Sequence, residues 1–338
     1  MISNKVKACV DSLNNLRDKS SNVPLKYKKV SKVITITFNP AIDKSTSVKI
    51  LIPEKKLNCT IPIYEPGGGG INVARAIKKL GGEATAVYLA GGYSGIKFTQ
   101  LLTEESIESI VTETQNNTRE NLVVVEDSTN KQFRFGMPGL KVTEPEWQAC
   151  LKSIENINDV DFIVASGSLP EGIPTDIFAK IALIAQQKKA KFIVDTTGEA
   201  LKQAVQAGVY LIKPNLGELS SLSGQEELSL ESVSNVAREL IEKGKCEVVA
   251  VSMGAEGAML ITKDLTISVK PPNVDRKSTV GAGDSMVAGI VLSLSKNKSL
   301  IESVQYGVAC GTAATMNEGS ELCRKEDVER LYKLIQGQ

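Results

Sequence analysis

The chain has 338 residues, 42% of them hydrophobic, with 40 basic against 39 acidic side chains and no histidine. That length holds one large α/β domain or two smaller ones, and the balanced charge leaves no electrostatic footprint for nucleic acid or an anionic membrane, so positive charge for a phosphorylated ligand has to be local. The lack of histidine excludes Ser-His-Asp and Cys-His catalysis and every His-containing metal site, and the widely spaced Cys9, Cys59, Cys150, Cys246, Cys310 and Cys323 suit reduced thiols in a cytoplasmic protein better than a disulfide frame.

Residues 1–30 carry several lysines and no sustained apolar run. They are expected to form a loosely ordered extension rather than a signal peptide, with a transit peptide the weaker alternative, since Asp11 and Asp18 interrupt the basic character. No apolar run approaches the length of a membrane span. The domain proper is expected over 31–338. Residues 33–38 are rich in β-formers and end at Asn39-Pro40, which predicts a strand and a turn. Residues 45–64 alternate β-formers with polar residues and hold no helical pattern, which predicts a small antiparallel sheet outside the main one. A helix follows over 71–80 and a strand over 84–89, and the segments 121–126 and 131–135 read as a hairpin. Compact apolar runs at 161–165, 191–195, 209–212 and 247–251 are mostly separated by helical patterns such as 176–188 and 230–243. Alternating strands and helices of this kind predict a mostly parallel sheet covered on both faces. The tail is expected to be helical over 282–295, 299–315 and 325–335.

Two segments carry chemistry. In Ser278-Thr-Val-Gly-Ala-Gly-Asp-Ser285, two glycines alternate with small residues and lead through Asp284 into an apolar helix. Backbone N–H groups of Gly281, Ala282 and Gly283 at a helix start can converge on an anion. A carboxylate beside that anion can take a proton from an attacking hydroxyl, which is the minimal apparatus for phosphoryl transfer to an alcohol. The plainer alternative is a tight glycine turn capped by Asp284. The second segment, Glu65-Pro-Gly-Gly-Gly-Gly-Ile-Asn-Val-Ala-Arg75, strips side chains from a stretch that a ligand can then approach, and places Asn72, a donor and acceptor for hydroxyls, at the start of a helix. Polar residues directly after the strands are the others to inspect, because ligands of an open α/β sheet sit at the carboxyl ends of its strands. These are Asp43, Ser166 and Ser168, Asp195, Lys213 with Asn215, and Ser252 with Gly254. Asp43 could equally cap the turn at Asn39-Pro40, and Asn215 with Glu218 could equally form a helix capping box. There is no G-x-x-x-x-G-K-[ST] and no G-x-G-x-x-G, which excludes a Walker-type nucleotide site and a Rossmann oxidoreductase.

The glycine-asparagine and Gly-Ala-Gly-Asp segments, with Ser166-Gly-Ser-Leu-Pro170 and Val194-Asp-Thr-Thr-Gly-Glu-Ala-Leu201, resemble the signatures of the PfkB (ribokinase-like) carbohydrate kinases, and the likeness runs from about Val33 to Ile335. The resemblance implies a three-layer α/β/α fold with a β-sheet lid built from 45–64 and 121–135, and a homodimer formed through that lid. It implies ATP and Mg²⁺ as co-substrate and cofactor, and phosphorylation of the C1 hydroxyl of fructose 6-phosphate by Asp284 as base. On the sugar side it points to Asp43, Gly68, Gly69 and Asn72, with Arg119, Ser168 and Lys56 for the substrate's own phosphate. On the nucleotide side it points to Lys213, Asn215, Ser252, Gly254, Ser278, Val280, Gly281, Gly283 and Thr312, with Asn215 and Glu218 helping to place Mg²⁺. Asn317 and Gly319 fit a K⁺ loop, although Glu321 stands where a basic residue is found in similar members. Members acting on tagatose 6-phosphate or fructose 1-phosphate are the rivals within the family. They carry a lysine in the run that is all glycine here, at Gly67 to Gly70. A silent sugar-phosphate sensor would have no use for the base.

Overall fold

In the computed structural model, which describes residues 31–225, 228–244 and 246–337, strands and helices alternate along most of the chain. The extension expected at 1–30 lies outside the described residues. The chain enters through β1 (Lys32–Thr37) and passes at once into β2 (Ala41–Val48) and β3 (Ile63–Gly67), then α1 (Gly69–Lys79), β4 (Thr85–Gly91), α2 (Gly92–Glu104) and β5 (Glu108–Thr114). It continues with β6 (Arg119–Glu126), β7 (Lys131–Phe135), α3 (Glu144–Asn156), β8 (Val160–Ser166), α4 (Ile177–Lys188), β9 (Lys191–Asp195), α5 (Gly198–Ala207) and β10 (Val209–Ile212). The last part holds α6 (Leu216–Ser223), α7 (Leu230–Lys243), β11 (Cys246–Ser252), β12 (Ala258–Ile261), β13 (Thr266–Val269), α8 (Ala282–Ser295), α9 (Leu300–Thr315) and α10 (Lys325–Gln336).

Nine strands form the main sheet in the order β13-β12-β11-β10-β9-β8-β1-β4-β5, parallel except for the two antiparallel steps at β12 and β13. Strand succession runs one way from β1 to β4 and the other way from β8 to β11, so the topological switch point lies between β1 and β8. A crevice opens there at the strands' carboxyl ends. The strands read as continuous apolar runs because both faces are covered. Ile34, Ile36, Ile163 and Val194 pack against α3 to α7, while Val33, Phe162, Val164 and Ile193 pack against α1, α8, α9 and α10. Helix α2 adds a smaller cluster in which Phe98 meets the Tyr88 ring edge-on at 5.2 Å. Helix α8 is buried on nearly all sides, and it lies so close to α9 that a Cβ on Gly289 would stand 2.6 Å from Cys310 Sγ and 3.0 Å from Gly307 Cα. That approach fixes where the amino end of α8 points. Among the described residues Cys59 is exposed, Cys150, Cys246, Cys310 and Cys323 are buried free thiols, and no helix is long and apolar enough to cross a membrane.

The small sheet, in the order β3-β2-β6-β7, has the hairpin expected at 121–126 and 131–135 but differs at its other half. It begins at Ala41 rather than 45, and residues 49–62 hold only the isolated bridge between Val48 and Cys59. Pro53 and a left-handed turn at Glu54 (φ 60°) break the alternating pattern there. Helices α2, α3 and α5 and strands β5, β12 and β13 were not foreseen, and α6 only through the capping box offered for Asn215 and Glu218. Strand β5 is a polar edge strand and α6 is only eight residues long, so neither offers a full period of apolar positions.

One buried cation ties the small sheet to the body. Arg75 of α1, 3% exposed, donates to Glu105 at 2.6 and 2.7 Å, to Glu65 at 3.2 Å and to the Pro66 carbonyl at 2.9 Å. The other Glu65 oxygen accepts from Ser320 Oγ at 2.7 Å. Replacing Arg75 with Met should strand the two glutamates and lower unfolding free energy by about 3 kcal/mol. A urea midpoint that stays where it was, at unchanged m, would contradict this.

Candidate active site

The amino end of α8 forms the floor of the crevice. Gly281 caps it in the left-handed conformation (φ 69°), where a Cβ would also meet Leu322 at 2.7 Å. The first i to i−4 bond of this helix runs from the Ser285 N–H to the Gly281 carbonyl at 2.8 Å. The N–H groups of Gly283 and Asp284 are therefore the open donors of a helix start, suited to an anion. Asp284, in the same first turn, is met by two residues from far along the chain. Asn72 of α1 donates Nδ2–H to its Oδ2 at 2.9 Å, and Ser166 at the end of β8 approaches Oδ1 at 3.5 Å. Enclosure by protein pushes the Asp284 carboxyl up to about 6, and the negative charge of Asp195 adds to the rise, while Asn72, Lys213 and Ser166 restrain it.

Lys213, expected to reach a nucleotide, is 6% exposed and not a free cation. Its Nζ pairs with Asp195 at 3.1 Å and lies close under Gly283. Burial alone would lower its pKa, but Asp195, Glu218 and Asp284 together outweigh it and the ammonium is held charged. Asp284, Lys213 and Asp195 thus form a line of alternating charge beneath the crevice.

The glycine run has a packing reason beside the expected one. A Cβ on Gly67 would strike the Asp43 carboxylate, one on Gly69 would strike Ser166, and one on Gly70 would strike the Ile36 carbonyl. Gly68, the residue before α1, is in a region closed to side chains (φ 115°). The glycines let α1 press its amino end onto the ends of β1 and β8, which is what carries Asn72 to Asp284.

On the other side of α8 lies a cavity of about 540 Å³. Its lining includes Asn215, Ser252, Gly254, Ala282, Gly283 and Thr312, all expected, and also Asn273, Arg276 and Thr279, which sequence reasoning missed. Ser278 and Val280 do not line it. Ser278 Oγ donates to the Gly319 carbonyl at 2.7 Å and accepts from the Val280 N–H at 3.2 Å, which shapes the turn leading into α8. The same contact brings Gly319 (φ 64°) beside that turn, and buried Asn317 donates to the Leu322 carbonyl at 2.8 Å. Glu321 is paired with Arg324 at 2.7 Å. Asn215 and Glu218 form the capping box of α6, with bonds of 2.8 and 2.9 Å. Half-burial raises the Glu218 pKa, restrained by the Asn215 N–H and Lys213.

The opposite wall comes from the small sheet. Asp43 sits within β2 rather than in the turn at Asn39-Pro40, so it caps nothing there. Its neighbour in register on β6 is Asn121, whose Nδ2–H donates to Asp43 Oδ1 at 2.8 Å. Burial raises the Asp43 pKa, with Asn121 and Arg119 opposing. Arg119 donates to the carbonyls of Met137 (3.0 Å) and Asn39 (3.1 Å), and its buried Nε has no partner. Burial also lowers its pKa, against the pull of Asp43. Asn39 in turn donates Nδ2–H to Ser168 Oγ at 3.0 Å. Arg119, Asn39, Asn116, Thr118 and Lys141 border a second cavity of about 30 Å³. Lys56 is exposed on the loop between β2 and β3 and borders neither cavity. Asn39 and Asn121 escaped sequence reasoning because an asparagine inside a strand or turn pattern signals nothing until the register is known.

The arrangement is a helix start with open N–H donors and a half-buried carboxylate, between a large cavity and a polar pocket. The model of the pfkB family of carbohydrate kinases matches residues 33–327. The ATP-dependent 6-phosphofructokinase isozyme 2 of Escherichia coli K12 is 42% identical over 90% of this chain and 99% of its own. The 1-phosphofructokinase of Bacillus subtilis is 32% identical over 88% of this chain and 97% of its own. The crystal structure of the Escherichia coli phosphofructokinase-2 in complex with fructose-6-phosphate superposes with a TM-score of 0.85 at 40% identity, covering 90% of this chain and 99% of that one. The same protein is solved in complex with potassium (TM-score 0.88, 41% identity) and as a tetrameric inhibited form (0.86, 40%), at the same coverage.

The raised carboxyl has a stability signature. Folded Asp284 holds its proton to about pH 6 against 3.8 for the free group, so folding binds a proton in that window and stability falls as pH rises through it. Allowing for its opening on the crevice, Asp284→Asn should be more stable than the parent by about 2 kcal/mol at pH 8, and equal to it near pH 4. Denaturant titration at the two pH values decides. The same difference at both would mean that the carboxylate carries no burial penalty.

Proposed function

The chain belongs to the pfkB family of carbohydrate kinases, and from that premise we propose that it transfers the γ-phosphoryl group of ATP to the C1 hydroxyl of fructose 6-phosphate, giving fructose 1,6-bisphosphate and ADP in the cytoplasm. The observation that carries the reading is Asp284 itself, a half-buried carboxylate with its pKa near 6 at the mouth of an anion-binding helix start. A base of that strength is ionised at neutral pH yet still accepts a proton readily.

In the proposed reaction the C1 oxygen attacks the γ-phosphorus, the bond to the β-phosphate bridging oxygen breaks, and the hydroxyl proton passes to Asp284. Asn72 holds the carboxylate toward the hydroxyl. The Gly283 and Asp284 amides, with the ammonium of Lys213 beneath, stabilise charge on the transferred group. ATP takes the large cavity beside Asn215, Ser252, Gly254 and Thr312. The sugar lies between Gly68, Gly69 and Asp43. Arg119 and Ser168 take its 6-phosphate, which the unpartnered Arg119 Nε supports.

Among the described residues no cluster of three or more acidic or thiol ligands could form a closed metal cage. That suits Mg²⁺ arriving on ATP, which keeps waters and uses few carboxylates. Glu218 is the residue that would hold it through water, with Asn215 beside it, and the ion would neutralise charge on the phosphates. K⁺ is proposed at the turn of Asn317 and Gly319, supported by the potassium complex of the Escherichia coli relative. A homodimer through the small sheet is proposed as well, supported by Ile61, Ile63, Phe133 and Phe135, which are all exposed around it. Lys56 would then reach a phosphate only from a second copy.

A coupled ADP-release assay tests the reading with fructose 6-phosphate, tagatose 6-phosphate, fructose 1-phosphate and fructose. kcat/KM should be highest for fructose 6-phosphate. It should rise tenfold per pH unit up to about pH 6 and level off above. Asp284→Asn should lower kcat by roughly 10²–10⁴ with a smaller change in KM. Preference for fructose 1-phosphate would move the substrate, and near-parental turnover by the variant would remove the base.

A further inference from the structure

Asp43 and Arg119, the two charged groups on the sugar side, make no direct hydrogen bond with each other. They are joined through one asparagine that uses both ends of its amide. Asn121 Nδ2–H donates to Asp43 Oδ1 at 2.8 Å, and Asn121 Oδ1 accepts from the Met137 N–H at 3.1 Å. The Met137 carbonyl then accepts from Arg119 Nη1 at 3.0 Å. Arg119 Nη2 continues to the Asn39 carbonyl at 3.1 Å, and Asn39 Nδ2 to Ser168 Oγ at 3.0 Å. Met137 lies in an exposed segment after β7, next to Gly136, around which there is open space. Asn121 is therefore the tie that fixes this segment, and with it the carbonyl against which Arg119 is set.

We propose that Asn121 is a positioning residue: it sets the spacing between the hydroxyl ligand Asp43 and the phosphate ligand Arg119, and so decides which ketohexose phosphate fits between them. The inference rests on the roles given to Asp43 and Arg119 in the proposed function. A sugar phosphate bridging the two must match a fixed span, since neither end can drift without breaking a bond to Asn121 or to the segment it holds. Asn121 also steadies the charge of Asp43. The charged groups facing that carboxylate are Arg119 from β6, Arg75 from α1 and Glu65 from β3. The Asn121 hydrogen bond is the largest influence holding its pKa down against burial.

Two variants separate these duties. Asn121→Ala loses both bonds. Asn121→Asp is isosteric and keeps the acceptor for Met137, but sets a second carboxylate against Asp43. kcat/KM would be measured against pH for fructose 6-phosphate and for fructose, with the KM for Mg-ATP as a control. In Asn121→Ala the preference for fructose 6-phosphate over fructose should shrink by roughly tenfold or more, because only the phosphorylated sugar uses Arg119. In Asn121→Asp that preference should hold, while kcat/KM at acid pH should fall further than in the parent with both sugars, because Asp43 then titrates alongside Asp284, and the KM for Mg-ATP should stay put in both variants. A preference and an acid limb unchanged in folded variants, or a loss equal for both sugars at every pH, would overturn the proposal. A parent enzyme that does not favour fructose 6-phosphate over fructose would instead overturn the assignment of Arg119, and the proposal with it.

Discussion

The hydrogen bond between Asn72 and Asp284 joins residues 212 positions apart, and the rest of the site is arranged so that it can form. It needs two helix starts to meet over the ends of β1 and β8. Helix α1 reaches the meeting point because Gly69 and Gly70 remove the side chains that would strike Ser166 and the backbone of β1. Helix α8 reaches it because Gly289 and Gly307 let it lie close against α9. Glycine within a helix weakens the helix by about 1 kcal/mol relative to alanine. Here that cost is offset by packing that could not otherwise occur.

Charge follows the same plan. The chain is nearly neutral as a whole, yet it confines Asp284, Lys213 and Asp195 within a single crevice. Burial raises the Asp284 pKa and Asp195 adds to the rise, while Lys213 restrains it; Asp195, with Glu218 and Asp284, holds the buried Lys213 charged. Without histidine, this is how the chain obtains a group that titrates near neutrality.

Much of this was legible in the sequence. Strands β9 and β10 and helices α7 and α8 fall at the expected bounds, because each is a clean apolar run or a full helical period between breakers. Asp284, Asn72 and the glycines could be read because anion binding at a helix start demands a particular local sequence. The residues that join distant segments could not. Ser166 and Asp195 were visible as strand ends, but not as partners of Asp284 and Lys213. Asn121 faces Asp43 only through the register of β2 with β6. Arg75 stood out only as the end of the glycine-asparagine segment, because its burial between Glu65 and Glu105 depends on where β3 and α2 end. Ser278 and Val280 shape the turn into α8 rather than lining the cavity, a distinction that turns on a single hydroxyl bond to Gly319.

The way the small sheet is attached has a mechanical consequence. It meets the body through residues 38–40, through Gly68 alone, through residues 115–118, and through the longer segment 136–143. The first three leave no slack for a hinge, and the Arg75 cluster rivets the one at Gly68, so only the segment after β7 has length to give. Any opening over the crevice is then drawn from the twist of the four strands and from that last segment, as a leaf spring bends along its length. The restoring force then grows with displacement, so the sheet returns to one resting shape after each turnover instead of wandering among several.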